Sequence, residues 1–208
     1  MCYLGLDLGQ KHDYSAIAIV DMQDRMRGQQ RPANGRMVVR YLERAPLGTT
    51  YPAVVEQVKR LVQSQMLRQR CAVIADATGV GAPVVDLLRG ARLGCEVTAV
   101  TITGGARESG YAEGPSAEVR VPKQDLIAGV QVLLESGELR IAARLRHAGT
   151  LVKELLDVRV RGGLRGRLRI GADGAGEHDD LVIALALAIW RAKRGTPTFG
   201  PMPNRLGW

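Results

Sequence analysis

Four aspartates stand where a carboxylate is hard to accommodate. Asp7 interrupts the apolar run Tyr3–Leu8, "YLGLDL". Asp76 ends the apolar run "CAVIAD". Asp179 and Asp180 open ten consecutive apolar residues, Leu181–Trp190. Each has a plain explanation taken singly: Asp7 pairs with an arginine, Asp76 caps the helix after "TGVG", and Asp179 is an N-cap favoured by the helix dipole. A cap needs only one aspartate, however, so Asp180 is left over. Together they point to chemistry. Positions at the start, middle and end of the chain sit on elements that one sheet can gather, and clustered carboxylates protonate unless a cation neutralises them. Hard oxygen donors without a Cys or His cluster suit Mg²⁺ or Mn²⁺. Two such ions about 4 Å apart clamp the attacking and leaving oxygens of a phosphodiester displacement.

The elements that must position these groups follow from periodicity. Three apolar runs, Tyr3–Leu8, Ser15–Asp21 and Arg36–Glu43, separated by turn-forming or polar segments, predict three consecutive antiparallel strands, with 22–35 as a long polar loop. Apolar residues Val54, Val55, Val58, Leu61, Val62 and Met66 predict an amphipathic helix over 51–69. A strand at 71–76, a short helix at 82–90 and a strand at 95–102 make an alternation that implies parallel pairing. Residues 103–118 are rich in Gly and Ser and read as a loop or small hairpin. Pro122 suits the first turn of a helix running to Ser136. An edge strand "GELRIA", a helix over 143–157 and an outer strand or hairpin "LRGRLRIG" follow, before the last helix at 179–194. The fold class is therefore α/β: a mixed central sheet, three antiparallel strands then parallel ones, flanked by helices. One domain spans 1–194, and the tail 195–208, with three prolines and three glycines, is expected to be extended or loose.

Bulk properties narrow the function. A chain of 208 residues, 46% hydrophobic and 24% charged, can bury a core and is neither disordered nor membrane-spanning in character. The run 181–190 is about half a bilayer span. Three scattered cysteines, Cys2, Cys71 and Cys95, form no CxxC pair, which fits a reducing cytosol better than a disulfide framework or zinc site. The net charge of +8 is concentrated: nine basic against two acidic residues lie between Arg140 and Arg169. Such a stripe, with Arg159, Arg161, Arg165, Arg167 and Arg169 at its end, suits a polyanion such as nucleic acid; a solvated basic face is the plainer alternative. His178 is placed to orient a ligand or protonate a leaving group, though a helix-entry role is plainer. His12 reads as loop, and Trp190 and Trp208 as core and tail.

The pattern resembles the RNase H-like nucleases, and more closely the C-terminal nuclease domain of the phage terminase large subunit, the DNA-packaging motor. The residues that carry the resemblance are "GLDLG" with Asp7, "VIADATGVG" with Asp76, "VPKQDLIAGVQVLLESGELRI", and "HDDLVIALALA" with Asp179 and Asp180. It covers about 3–194. The resemblance implies a metal-dependent endonuclease acting on double-stranded DNA. Asp7, Asp76 and Asp179 would be the principal ligands of two Mg²⁺ or Mn²⁺ ions, Asp180 an auxiliary or alternate one, and Lys123 a phosphate contact, with a solvated first-turn lysine as the plain alternative. It also implies partners such as a packaging ATPase domain, a small terminase subunit or a portal, no membrane, and work in a bacterial host's cytoplasm. The chain has no GxxxxGK[ST] motif, which would make it an excised domain or a stand-alone relative. Three rivals remain: a Holliday-junction resolvase of the same fold, an actin-like nucleotide-binding protein suggested by "DLGQ" and "DATGVG", and a DNA-binding module without catalysis. The actin-like plan needs two copies of the fold, more than this length holds.

Overall fold

The computed structural model describes residues 1–9, 13–23, 36–65, 67, 70–79, 82–111, 118–162, 168–171 and 178–194. Strands β1 (Cys2–Asp7), β2 (Ala16–Gln23) and β3 (Arg36–Arg44) form the antiparallel meander expected from the three apolar runs. Helix α1 (Tyr51–Gln63) leads to β4 (Cys71–Asp76), α2 (Ala82–Gly90) and β5 (Glu96–Thr103). β1, β4 and β5 pair in parallel, as the strand–helix–strand alternation requires. A hairpin of β6 (Ser109–Tyr111) and β7 (Glu118–Pro122) follows, then α3 (Lys123–Glu135) and the edge strand β8 (Leu139–Ile141), which pairs in parallel with β3. Helix α4 (Ala148–Asp157), β9 (Arg159–Gly162), β10 (Leu168–Gly171) and α5 (Asp180–Ala192) complete the chain. Among the described residues, one sheet of eight strands has the order β6-β7-β5-β4-β1-β2-β3-β8, and β9 and β10 form a separate two-stranded ribbon.

Several boundaries differ from the sequence expectation. Of the two readings of 103–118, the small hairpin is formed, by β6 and β7, but it runs on to Pro122 and β7 also joins the sheet in parallel with β5, which was not expected. Its alternation of buried Val119 and Val121 with exposed Glu118 and Arg120 is too short to stand out beside the Gly- and Ser-rich segment. α1 stops six residues early, because Ser64 turns extended and its Oγ and N–H both bond the Leu61 carbonyl. α4 starts at Ala148 rather than 143, after His147 adopts a left-handed backbone (φ 63°). β1 ends at Asp7, one residue short of the apolar run Tyr3–Leu8, so Asp7 lies at the strand's carboxyl end.

The period of two in a strand assigns the faces. Cys2, Leu4 and Leu6 of β1 and Cys71, Val73 and Ala75 of β4 pack toward α1 and α2. Tyr3 of β1 and Ala72 and Ile74 of β4 pack toward α3, α4 and α5. Asp7 and Asp76 continue the second series, so both sit on the α5 face. Their strands are in parallel register up to Leu6 opposite Ala75, which brings the two aspartates side by side one step further on.

Every residue of α5 from Asp180 to Ala192 is buried. A helix hydrophobic all round belongs in a core, and this one runs across β1, β2 and β4. Its far end is pinned: Arg191 pairs with Glu96 at 3.2 Å, and Trp190 Nε1 donates to Glu108 at 3.1 Å. Gly5 permits the close approach. A Cβ there would lie 1.8 Å from the Ala184 carbonyl oxygen, inside the helix backbone. Among the described residues no helix is long and apolar enough to cross a membrane.

Gly5→Ala is therefore expected to push α5 off β1. Overpacking of this kind lowers stability by about 1–3 kcal/mol, and backbone rather than a flexible side chain must move, so the effect belongs at the upper end. Chemical denaturation checks it; a midpoint equal to the parent's would contradict the packing.

Candidate metal centre

Asp7 and Asp76 reach the site from the carboxyl ends of neighbouring parallel strands, and Asp179 and Asp180 from the mouth of α5. Asp7 is strongly perturbed. Burial lifts its pKa well above the ordinary carboxylate range, and the negative charges of Asp76, Asp180 and Asp179 lift it further, with Lys123 opposing. The four sequence candidates thus share one electrostatic neighbourhood. Asp76 is raised by burial, opposed by hydrogen bonds from Thr78 and the charge of Lys123. Its Oδ1 accepts the Thr78 N–H at 2.7 Å, which fixes the turn after β4; the cap for α2 anticipated as the plain role of Asp76 is not made among the described bonds. Asp180 is pushed up to about 6, mainly by burial, against the attraction of Arg44 and His178.

Among the described residues, Lys123 and Arg44 are the cations that serve these acids. Lys123, the first residue of α3, places Nζ 2.6 Å from Asp179 Oδ2. The lysine anticipated as a phosphate contact is thus paired with a candidate ligand here. Arg44, the last residue of β3, stands 3.4 Å from Asp180 Oδ2 and pairs with Glu154 of α4. Its guanidinium lies over the Tyr14 ring, 4.7 Å from the centroid. His178 meets the same ring edge-on at 5.1 Å, with Nδ1 3.8 Å from Asp180 Oδ2. It belongs to this cluster, half-buried.

Glu154 is the residue that the sequence left unseen. It is 3% exposed, and its Oε2 accepts the backbone N–H groups of Leu181 at 2.9 Å and Val182 at 3.2 Å. Burial pushes its pKa up to about 7, against the pull of Arg44 and these N–H groups. Asp179 occupies the N-cap position of α5 yet makes no side-chain cap bond, so the plain capping role considered for it is filled by Glu154. The only hint in sequence was an acid in an otherwise basic stretch.

The donor set fits a hard divalent cation. The groups are carboxylate oxygens short of positive charge, and among the described residues Asp180 Oδ2 is buried without a hydrogen-bond partner, with Arg44 at ion-pair distance. With Lys123 on Asp179 and Arg44 near Asp180, the acids are gathered but not drawn onto one point. Among the described residues no three Asp, Glu, His or Cys groups are close enough to grip a single ion together. Of the basic stripe, Arg165 and Arg167 lie outside the described residues, as do His12 and Trp208, and Arg159, Arg161 and Arg169 are described only as backbone of the ribbon.

The family model of the terminase RNaseH-like domain matches the chain over residues 4–191. The large terminase nuclease from thermophilic phage G20c is similar in structure, with TM-score 0.66 and 24% identity over 92% of this chain and 82% of that one. The same nuclease with bound magnesium gives TM-score 0.64 and 25% identity over 92% and 81%. The nuclease domain of the g2p large terminase from bacteriophage SPP1, with bound Mn, gives 0.54 and 13% over 91% and 85%. No curated protein matches the chain significantly.

The raised pKa values carry a stability signature with a definite sign. Folded Asp180 and Glu154 hold protons up to about 6 and about 7, whereas unfolded carboxylates release them near about 4. The folded state binds more protons across that window, so stability falls as pH rises through it. In a chelator, the melting temperature is expected to be lower at about pH 8 than at about pH 5. Asp7→Asn, which removes one of four crowded charges, should raise Tm at the higher pH by about 2–4 °C, the shift that about 1 kcal/mol gives in a domain of this size. Thermal melts followed by circular dichroism test both statements; a Tm that climbs with pH would contradict them.

Proposed function

This chain belongs to the terminase RNaseH-like domain family, and on that premise we propose that it is a metal-dependent endonuclease that hydrolyses the phosphodiester backbone of double-stranded viral DNA during genome packaging. One observation carries the reading: two strand-end aspartates, Asp7 and Asp76, face the mouth of a core helix that adds Asp179 and Asp180, and the other three charges all press on Asp7. A structural carboxylate needs one partner; this group has four acids and an excess of negative charge.

In this reading Asp7, Asp76 and Asp179 hold the cations, with Asp180 as an auxiliary ligand. When bound, two Mg²⁺ or Mn²⁺ ions supply Lewis-acid charge to the scissile phosphate and to the attacking water. The chain's own residues do the rest. The strand ends and α5 hold the carboxylates rigidly, as a site on regular elements rather than loops allows. Lys123 is placed to exchange Asp179 for a phosphate oxygen as DNA arrives. The positive end of the α5 dipole favours anions at the same mouth. His178, held edge-on against Tyr14, orients the Asp180 carboxylate. The arginines of the ribbon and of the segment joining its strands, Arg159, Arg161, Arg165, Arg167 and Arg169, grip the DNA backbone, contacts that position without reading sequence. A packaging ATPase domain, small terminase subunit or portal would bring the DNA to the site.

Supercoiled plasmid incubated with the purified chain is expected to be nicked and linearised with Mn²⁺ or Mg²⁺ and left intact with EDTA. Asp7→Asn should lower the rate by more than about 100-fold, beyond the loss that follows from removing an outer partner of a ligand. Linear duplex should be cut at least as well as a four-way junction. Undiminished cutting by Asp7→Asn, or cutting that persists in EDTA, would contradict the proposal; strong preference for the junction would favour a resolvase.

A further inference from the structure

We propose that Glu154 is a positioning residue, which caps the first turn of α5 from a different helix and thereby leaves the Asp179 and Asp180 carboxylates free to hold a divalent cation. The inference rests on the metal-site reading above and adds a residue outside the aspartate cluster. The first amides of a helix lack partners within it. The N-cap side chain ordinarily accepts the N–H of the second or third residue. For α5 the N-cap is Asp179 and those residues are Leu181 and Val182. They are the two amides that Glu154 Oε2 takes, at 2.9 and 3.2 Å, while Asp179 makes no cap bond and turns to Lys123.

The arrangement needs support, because a buried carboxylate without a countercharge is strongly disfavoured. Arg44 provides it by pairing with Oε1 of Glu154. The same guanidinium stands 3.4 Å from Asp180 and lies over the Tyr14 ring. Elements β3 and α4 and the segment before β2 thus set the axial position and rotation of the α5 mouth. Without Glu154, the ordinary acceptor for the two amides is the N-cap side chain, Asp179, and a carboxylate that caps its own helix is withdrawn from metal.

The test reads metal binding without turnover. Free Mn²⁺ is followed by electron paramagnetic resonance during titration of the full chain, with thermal melts as a control. Glu154→Ala is expected to weaken Mn²⁺ binding by about 10–100-fold, the range for loss of an outer partner, whereas Glu154→Gln, which keeps an acceptor oxygen, stays within about 3-fold. Saturating Mn²⁺ should restore most of the cleavage rate of Glu154→Ala, so the defect lies in metal requirement rather than kcat. If the alanine variant does not fold, Glu154→Asp decides: it keeps the charge beside Arg44 but is one methylene too short to reach both amides, and it should show the same weakening. Parent affinity in the folded Ala or Asp variant, or a Gln variant as weak as Ala, overturns the positioning role while leaving the metal site in place. A parent chain that binds no Mn²⁺ removes both readings at once.

Discussion

The constraint on which this structure turns is the crowding of carboxylates at the mouth of a core helix. Asp7, Asp76, Asp179, Asp180 and Glu154 meet there, and the cations that answer them are Lys123 and Arg44. Burial opposes each charge and each charge opposes its neighbours, so Asp7 is lifted well above the ordinary carboxylate range. A chain has no structural reason to maintain that surplus. It is intelligible as a site that trades protons, or a lysine's ammonium, for a metal.

The scaffold around the surplus is built for rigidity. Parallel pairing of β1 with β4 sets Asp7 and Asp76 abreast, and the period of two turns both toward α5. Gly5 lets the helix backbone lie directly on β1. The far end of α5 is held by Arg191–Glu96 and by Trp190–Glu108, and the near end by Glu154 and Arg44. A helix fixed at both ends cannot slide, so its first two side chains keep their place relative to the strand ends. Precision of this kind is what the proposed two-ion site demands.

Much of this was legible in the sequence, and the rest was hidden for physical reasons. Asp7, Asp76, Asp179 and Asp180 stood out because a charge at the edge of an apolar run is locally visible. The meander, the parallel alternation and α5 were carried by strong periodicity. β7 was obscured because its two inward valines follow a Gly- and Ser-rich stretch. Arg44 and Glu154 were hidden for a different reason. Their partners are 110 residues apart in the chain, and nothing local distinguishes an arginine ending a strand or a glutamate in a basic helix from solvated surface. The capping question shows the limit well. Sequence suggested that one aspartate of the pair would cap α5 and the other would be left over; the fold supplies the cap from α4 and leaves both.

The most direct measurement is the location of manganese by anomalous scattering in crystals of the chain soaked with Mn²⁺. The account predicts density enclosed by Asp7, Asp76 and the mouth of α5, with Lys123 withdrawn from Asp179 and, at full occupancy, two peaks about 4 Å apart. Manganese bound elsewhere, or an aspartate cluster that stays empty with the Lys123–Asp179 pair intact at high Mn²⁺, would contradict it.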